Sequence, residues 1–113
     1  MSLNAIGYFQ FNNLIESRTP FILLCLENAN VGHWYSHVFK LHYENISTEC
    51  DEKNVLEVLQ MKNIPKHFSI VVLDKSGTIS PKISQKLEDS GYINSFFVTG
   101  GVQGLESEKQ NIF

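Results

Sequence analysis

Ile70-Val71-Val72-Leu73-Asp74-Lys75-Ser76-Gly77-Thr78-Ile79-Ser80 is the stretch in which the pattern of this chain changes most abruptly. Its first four residues are apolar without alternation and mostly β-branched, the pattern of a strand buried on both faces of a parallel sheet. The run stops at Asp74, and Lys75 to Gly77 supplies turn formers. Ser80 followed by Pro81 reads as a helix N-cap with proline at the first helical position, and Gly91 is placed to end that helix. Ile83 and Leu87 mark its buried face. Strand, short loop and helix in direct succession are the unit of an α/β domain, in which ligands collect where strands end and helices begin. The turn after Leu73 is therefore the expected site.

Moving outward, Phe21 to Leu26 is a second continuous apolar run and predicts another central strand. Before it, Ile6 to Phe9 is β-prone, and Phe11, Leu14 and Ile15 recur at helical spacing up to Ser17. Asn28 to Ser36 is polar, with Trp34 and Tyr35 embedded, and predicts a loop with a short helix. Val38 to Ile46 alternates well enough to predict a weaker strand. A helix is expected from Cys50 or Asp51, with Val55, Leu56, Leu59 and Met61 on its apolar face, ending at Asn63 to Pro65. Ser95 to Val98 predicts a further strand, closed by Gly100-Gly101, and Val102 to Gln110 a last short helix. The aromatic residues Phe96, Phe97 and the Tyr8-Phe9-Phe11 group are expected in the core. The fold class expected is α/β, a central and mostly parallel sheet flanked by helices on both faces, as one domain over residues 1–113.

An apolar fraction of 42% with 19% charged residues is that of a folded globular chain. The net charge of −3 and pI near 5.7 leave no basic stripe, so nucleic acid is not expected as a partner. The apolar runs fall far short of a membrane span, and the start lacks the pattern of a secretion signal, so a cytoplasmic protein without membrane contact is expected. Met1-Ser2-Leu3 is also compatible with a leader added for expression. Cys25 and Cys50 show neither disulfide nor zinc spacing and are expected as reduced thiols. His33 and His37 would share one face of a helix, but no third ligand is evident, so two solvated histidines and no metal are expected.

From Ile70 to Ser80, with Leu87, Gly91-Tyr92 and Gly100-Gly101, the chain resembles the C-terminal half of a rhodanese domain. In that family the strand ends in a cysteine, a loop containing Ser-Gly curls round it and a helix follows. A Gly-Tyr then precedes the next strand, and a double glycine closes it. The first half matches more loosely: Cys25-Leu26-Glu27 stands where the family has an Asp-Val-Arg-like segment, and Ser36, Phe39 and Lys40 replace the small residues around His37-Val38. The resemblance implies a loop whose N–H groups face inward at a helix N-terminus, making a positive cradle for a thiolate, persulfide or oxyanion. Asp74 holds the cysteine position, and Ile79 replaces the basic residue that closes many such loops.

A carboxylate cannot carry sulfane sulfur as a persulfide, so the resemblance implies a non-catalytic member. Its active-site-like loop is Asp74, Lys75, Ser76, Gly77, Thr78 and Ile79, with no catalytic residue and no cofactor. The Asp74 carboxylate is expected to satisfy the loop donors itself. The alternative is a surface turn aspartate. Non-catalytic members imply a protein-binding or regulatory role, with another protein as partner, and an exposed Trp34 would suit the rim of such a contact.

Two other functions compete. Sulfur transfer or carriage through another thiol would fall to Cys50, in a polar stretch, because Cys25 lies in the most apolar strand, where a thiol is inert. Asp74-Lys75-Ser76-Gly77-Thr78 also resembles the phosphorylated segment of cation-pumping ATPases, of haloacid dehalogenase type. That aspartyl phosphotransferase chemistry needs a later acidic pair for magnesium, and Glu88-Asp89 lies instead at an expected helix end.

Overall fold

The computed structural model describes residues 4–112; Met1-Ser2-Leu3 lies outside them. Strand β1 (Ala5–Ile6) leads into α1 (Tyr8–Glu16) and then β2 (Ile22–Cys25). After a 3-10 turn (Gly32–Trp34) come α2 (His37–Ile46), β3 (Ser47–Glu49) and α3 (Val55–Met61). The chain continues through β4 (Ile70–Leu73), α4 (Ser80–Asp89), β5 (Ser95–Val98) and α5 (Gly101–Ile112). The five strands form one sheet in the order β1-β5-β4-β2-β3, and every neighbouring pair is parallel. β4 is flanked by β2 and β5, and all four of its residues are buried.

The continuous apolar runs work because the sheet is covered on both sides. Leu23, Cys25, Val71 and Leu73 face a core built with Phe11 and Ile15 of α1, Tyr43 and Ile46 of α2, and Leu105 of α5. The intervening Leu24, Ile70 and Val72 face a second core, with Val55 and Leu59 of α3 and Ile83 and Leu87 of α4. Successive strand side chains point to opposite faces, so an unbroken apolar strand requires a helical layer on each. The expected α/β architecture is the one observed.

Four local expectations change. Val38 to Ile46 is helix α2, not a strand. Its buried positions are Tyr43 and Ile46, with Phe39 partly buried, a helical spacing, whereas Leu41, which alternates with Phe39 and Tyr43, is 58% exposed. A strand does follow, but it is the three-residue β3, paired at the sheet edge against β2. Near the N-terminus the strand covers only Ala5–Ile6, and Tyr8 and Phe9 belong to α1. Tyr8 is partly buried and Phe9 is 69% exposed, so of that aromatic group only Phe11 lies fully in the core. The helix expected from Cys50 or Asp51 begins at Val55, after a turn, and its Met61 is 82% exposed because Val55 and Leu59 suffice to seat this seven-residue helix.

Candidate functional site

At the C-terminal end of β4 the chain turns tightly around its own side chain. Asp74 is fully buried, and its carboxylate accepts three backbone N–H groups of the loop it begins. Gly77 N–H donates to Oδ1 at 2.8 Å, and the N–H groups of Ile79 and Ser80 donate to Oδ2 at 2.9 Å each. Ile79 and Ser80 open α4, so these two donors are among those a helix leaves unpaired at its start. A carboxylate there also complements the positive end of the helix. The cap comes from six residues upstream rather than from Ser80: the Ser80 hydroxyl is buried and makes no hydrogen bond, as is that of Ser84 one turn on. The turn-surface alternative for Asp74 is excluded by its complete burial.

The backbone of Asp74 serves a second helix. Its carbonyl accepts the N–H of Val102 at 2.8 Å, and the Lys75 carbonyl accepts that of Gln103 at 3.0 Å, both in the first turn of α5. One residue thus terminates two helices, α4 with its side chain and α5 with its main chain. Such proximity needs glycine opposite the loop. A Cβ on Gly77, at φ +84°, would fall 2.6 Å from the Cα of Gly100, and one on Gly101 would strike the carbonyl and carboxylate of Asp74. Gly100-Gly101, expected only to close β5, therefore packs against the Asp74–Gly77 backbone.

Glu27 is the site residue that sequence reasoning missed. It lies just past β2, next to β4 in the sheet, and its carboxylate accepts the Lys75 N–H at 3.1 Å. Glu27 and Asn28 both take left-handed backbone conformations, φ 57° and 58°, which turn the chain sharply at the strand end. Its place at the end of a strand adjacent to the site loop was the available signal, since neighbouring strand ends form one crevice in a parallel sheet. Of the loop side chains, Lys75, Ser76 and Thr78 are exposed, and the hydroxyls of Ser76 and Thr78 are 3.2 Å apart. Gly77 and Ile79 are partly buried. The outward face of the loop is small, polar and singly basic.

The other candidates lie elsewhere. Cys25 is buried in β2, and desolvation pushes its thiol up to about 11, as expected of a core cysteine. Cys50 is half-buried, and burial, with the neighbouring Cys25 and Asp51, pushes its thiol up to about 12, contrary to the accessible reactive thiol that the polar sequence suggested. His33 sits on the 3-10 turn and His37 begins α2, so the shared helical face does not exist, and His42 lies on α2 with its Nε2 2.9 Å from the Thr19 carbonyl. Among the described residues no three His, Cys, Asp or Glu side chains converge as metal ligands. Trp34 is not on the loop rim. It packs against Lys109, about two turns along α5 from the residues that bind the Asp74 loop. No helix among the described residues is long and apolar enough to cross a membrane.

No model of a known protein family matches the chain, and no curated protein does. Solved structures do. A thiosulfate sulfurtransferase from Pseudomonas aeruginosa superposes with a TM-score of 0.65 at 15% identity, covering 94% of this chain and 19% of the other. An uncharacterized protein from Saccharomyces cerevisiae superposes with a TM-score of 0.62 at 12% identity, covering 100% of this chain and 98% of its own. This chain thus spans about a fifth of the sulfurtransferase. At such identities the likeness speaks to the fold. With five parallel strands between two helical layers, the chain has a rhodanese-like α/β fold.

Proposed function

We propose that this chain is a non-catalytic rhodanese-like domain that serves as a protein-binding or regulatory module, a single domain in a cytoplasmic setting. The observation that carries this reading is the buried Asp74 carboxylate, which engages three N–H groups of the loop. By the family resemblance, Asp74 stands in the place of the sulfur-carrying cysteine. An anion cradle filled by the protein's own carboxylate has no donors left at those positions for a persulfide or an external oxyanion. What the loop presents outward is Lys75, Ser76 and Thr78, and a protein partner meets those side chains rather than Asp74. The low net charge favours a protein over nucleic acid as that partner.

The two rival functions meet physical obstacles. Sulfur transfer through Cys50 requires a thiolate, and at neutral pH a thiol raised to about 12 is protonated. Phosphorylation of Asp74 requires an oxygen open to a phosphoryl donor, whereas this residue is fully buried and both its oxygens accept hydrogen bonds.

Two assays test the proposal. Thiosulfate-to-cyanide sulfur transfer is expected to be absent in the wild type and unchanged in Cys50→Ser; turnover that Cys50→Ser abolishes establishes the sulfur-transfer reading instead. Affinity capture is then compared between the wild type and a Lys75→Glu/Thr78→Arg double variant, which alters the exposed face while leaving the buried cradle intact. Loss of specific partners in the variant is expected. Recovery of the same proteins by both forms would remove the loop as the recognition surface.

A further inference from the structure

Between the 3-10 turn and the C-terminal half of α5 lies an open cleft of about 600 Å³, lined by His33, Trp34, Glu106 and Lys109 among others. A second trough shares Trp34 and Lys109 with it and runs on past Tyr8, Glu16 and Tyr35. The indole ring of Trp34 is held by T-shaped contacts with Tyr8, centroids 6.4 Å apart, and with His33, at 5.9 Å. Tyr35 is fixed in turn: it stacks on Tyr43 at 6.0 Å, and its hydroxyl donates to Asn12 at 3.0 Å. Into this aromatic setting Lys109 places its ammonium 4.5 Å from the Trp34 ring centroid.

We propose that this cleft is a binding site for an organic cation of the alkylated-ammonium class, and that Lys109 is an internal occupant which the ligand displaces. The negative face of an indole is the strongest cation acceptor among aromatic side chains, and here it already holds an ammonium from its own chain. Two carboxylates, Glu106 and Glu16, line the two troughs. Once the flexible Lys109 side chain swings out, the lining is aromatic and acidic, which favours a cation over an anion. An alkylated ammonium is also less strongly hydrated than the lysine ammonium it replaces, so it gives up less solvation for the same attraction to the ring. The cleft volume falls within the range of small-molecule sites and admits a trimethylammonium head with its stem.

Trp34 is the chain's one tryptophan, so its fluorescence reports the cleft directly. The wild type is titrated with N-acetyl-trimethyllysine amide and, separately, with the neutral analogue in which carbon replaces the ammonium nitrogen. A saturable change is expected with the cation, and binding at least about threefold weaker with the neutral analogue, the size of a partly exposed cation–π contact. Lys109→Met keeps the apolar stem and removes the competing charge, so it is expected to bind the cation about two- to fivefold more tightly. Lys109→Gln provides a second variant with the same expectation. Equal binding of the neutral analogue, weaker cation binding in both Lys109 variants, or no saturable change in any of the three proteins would each overturn the proposal.

Discussion

Asp74 presses both its main chain and its side chain against Gly101: a Cβ there would overlap the Asp74 carbonyl oxygen and lie 2.5 Å from Oδ1. Gly101 also has φ +60°, a conformation that costs an L side chain about 1 kcal/mol or more. Gly101→Ala is therefore expected to destabilise the fold by at least about 2 kcal/mol in urea unfolding. Part of that cost is the clash with the carboxylate, so in an Asp74→Ser background the same substitution should cost about 1 kcal/mol less. A strictly additive double-mutant cycle would show that the carboxylate does not press on that position.

The three N–H groups bound by Asp74 lose their acceptor in Asp74→Ala. Burying unpaired donors at a helix start costs roughly 1–3 kcal/mol for the first of them, and the loss of a charged acceptor adds to it, so a total near 3 kcal/mol is expected. Asp74→Asn retains one acceptor oxygen but turns an NH2 toward a donor, and should fall between the wild type and Asp74→Ala. Denaturant midpoints rank the three forms, and wild-type stability in Asp74→Ala would contradict the buried cradle.

Alkaline pH should weaken the fold through groups that lie away from the loop. Burial raises Cys25 to about 11, Cys50 to about 12 and Tyr43 to about 12. All three are acids whose neutral form is favoured in the folded state. Well below pH 9 the folded and unfolded chains bind these protons almost equally, and the groups add little pH dependence. Above it the unfolded chain releases protons first, so stability falls as pH rises from about 9 toward 12. In the same window the thiols of the folded protein should react with a disulfide reagent far more slowly than those of the urea-unfolded chain. Labelling of the native protein at about pH 9 as fast as that of the unfolded chain would disprove the Cys50 environment described here.

Helix α2 separates two kinds of residue that look alike in sequence. The Tyr43 hydroxyl accepts the buried Val31 N–H at 3.0 Å, so Tyr43→Phe strands that donor and should cost about 1–3 kcal/mol. Leu41 is 58% exposed, and Leu41→Lys should change stability by less than about 0.5 kcal/mol. If Leu41→Lys proves the more damaging, the segment does not present the helical face described.

The apolar runs Phe21–Leu26, Ile70–Leu73 and Ser95–Val98 were legible in the sequence because a strand covered on both faces needs no polar residue in its interior, and that composition leaves little else for it to be. The loop was legible through its resemblance to the rhodanese loop, which carries over well because the Asp74 carboxylate and the N–H groups it binds lie within six residues of each other. The strand expected at Val38 to Ile46 shows where local reading stops. Phe39, Leu41 and Tyr43 fit alternation as well as Phe39, Tyr43 and Ile46 fit a helix, and only packing against the first core decides between the two periods.

From the sequence came the α/β class and the central strands, which follow from unbroken apolar runs, and, through the family resemblance, the carboxylate at the mouth of the loop, whose partners lie within six residues. Tertiary structure decided what reaches that loop from a distance. Glu27 meets the Lys75 N–H across 48 positions, and the first turn of α5 takes the Asp74 carbonyl. It likewise placed Lys109 over Trp34. Pairings of this kind depend on which strand ends and helix termini the sheet order brings together, and no periodicity along the chain encodes that order.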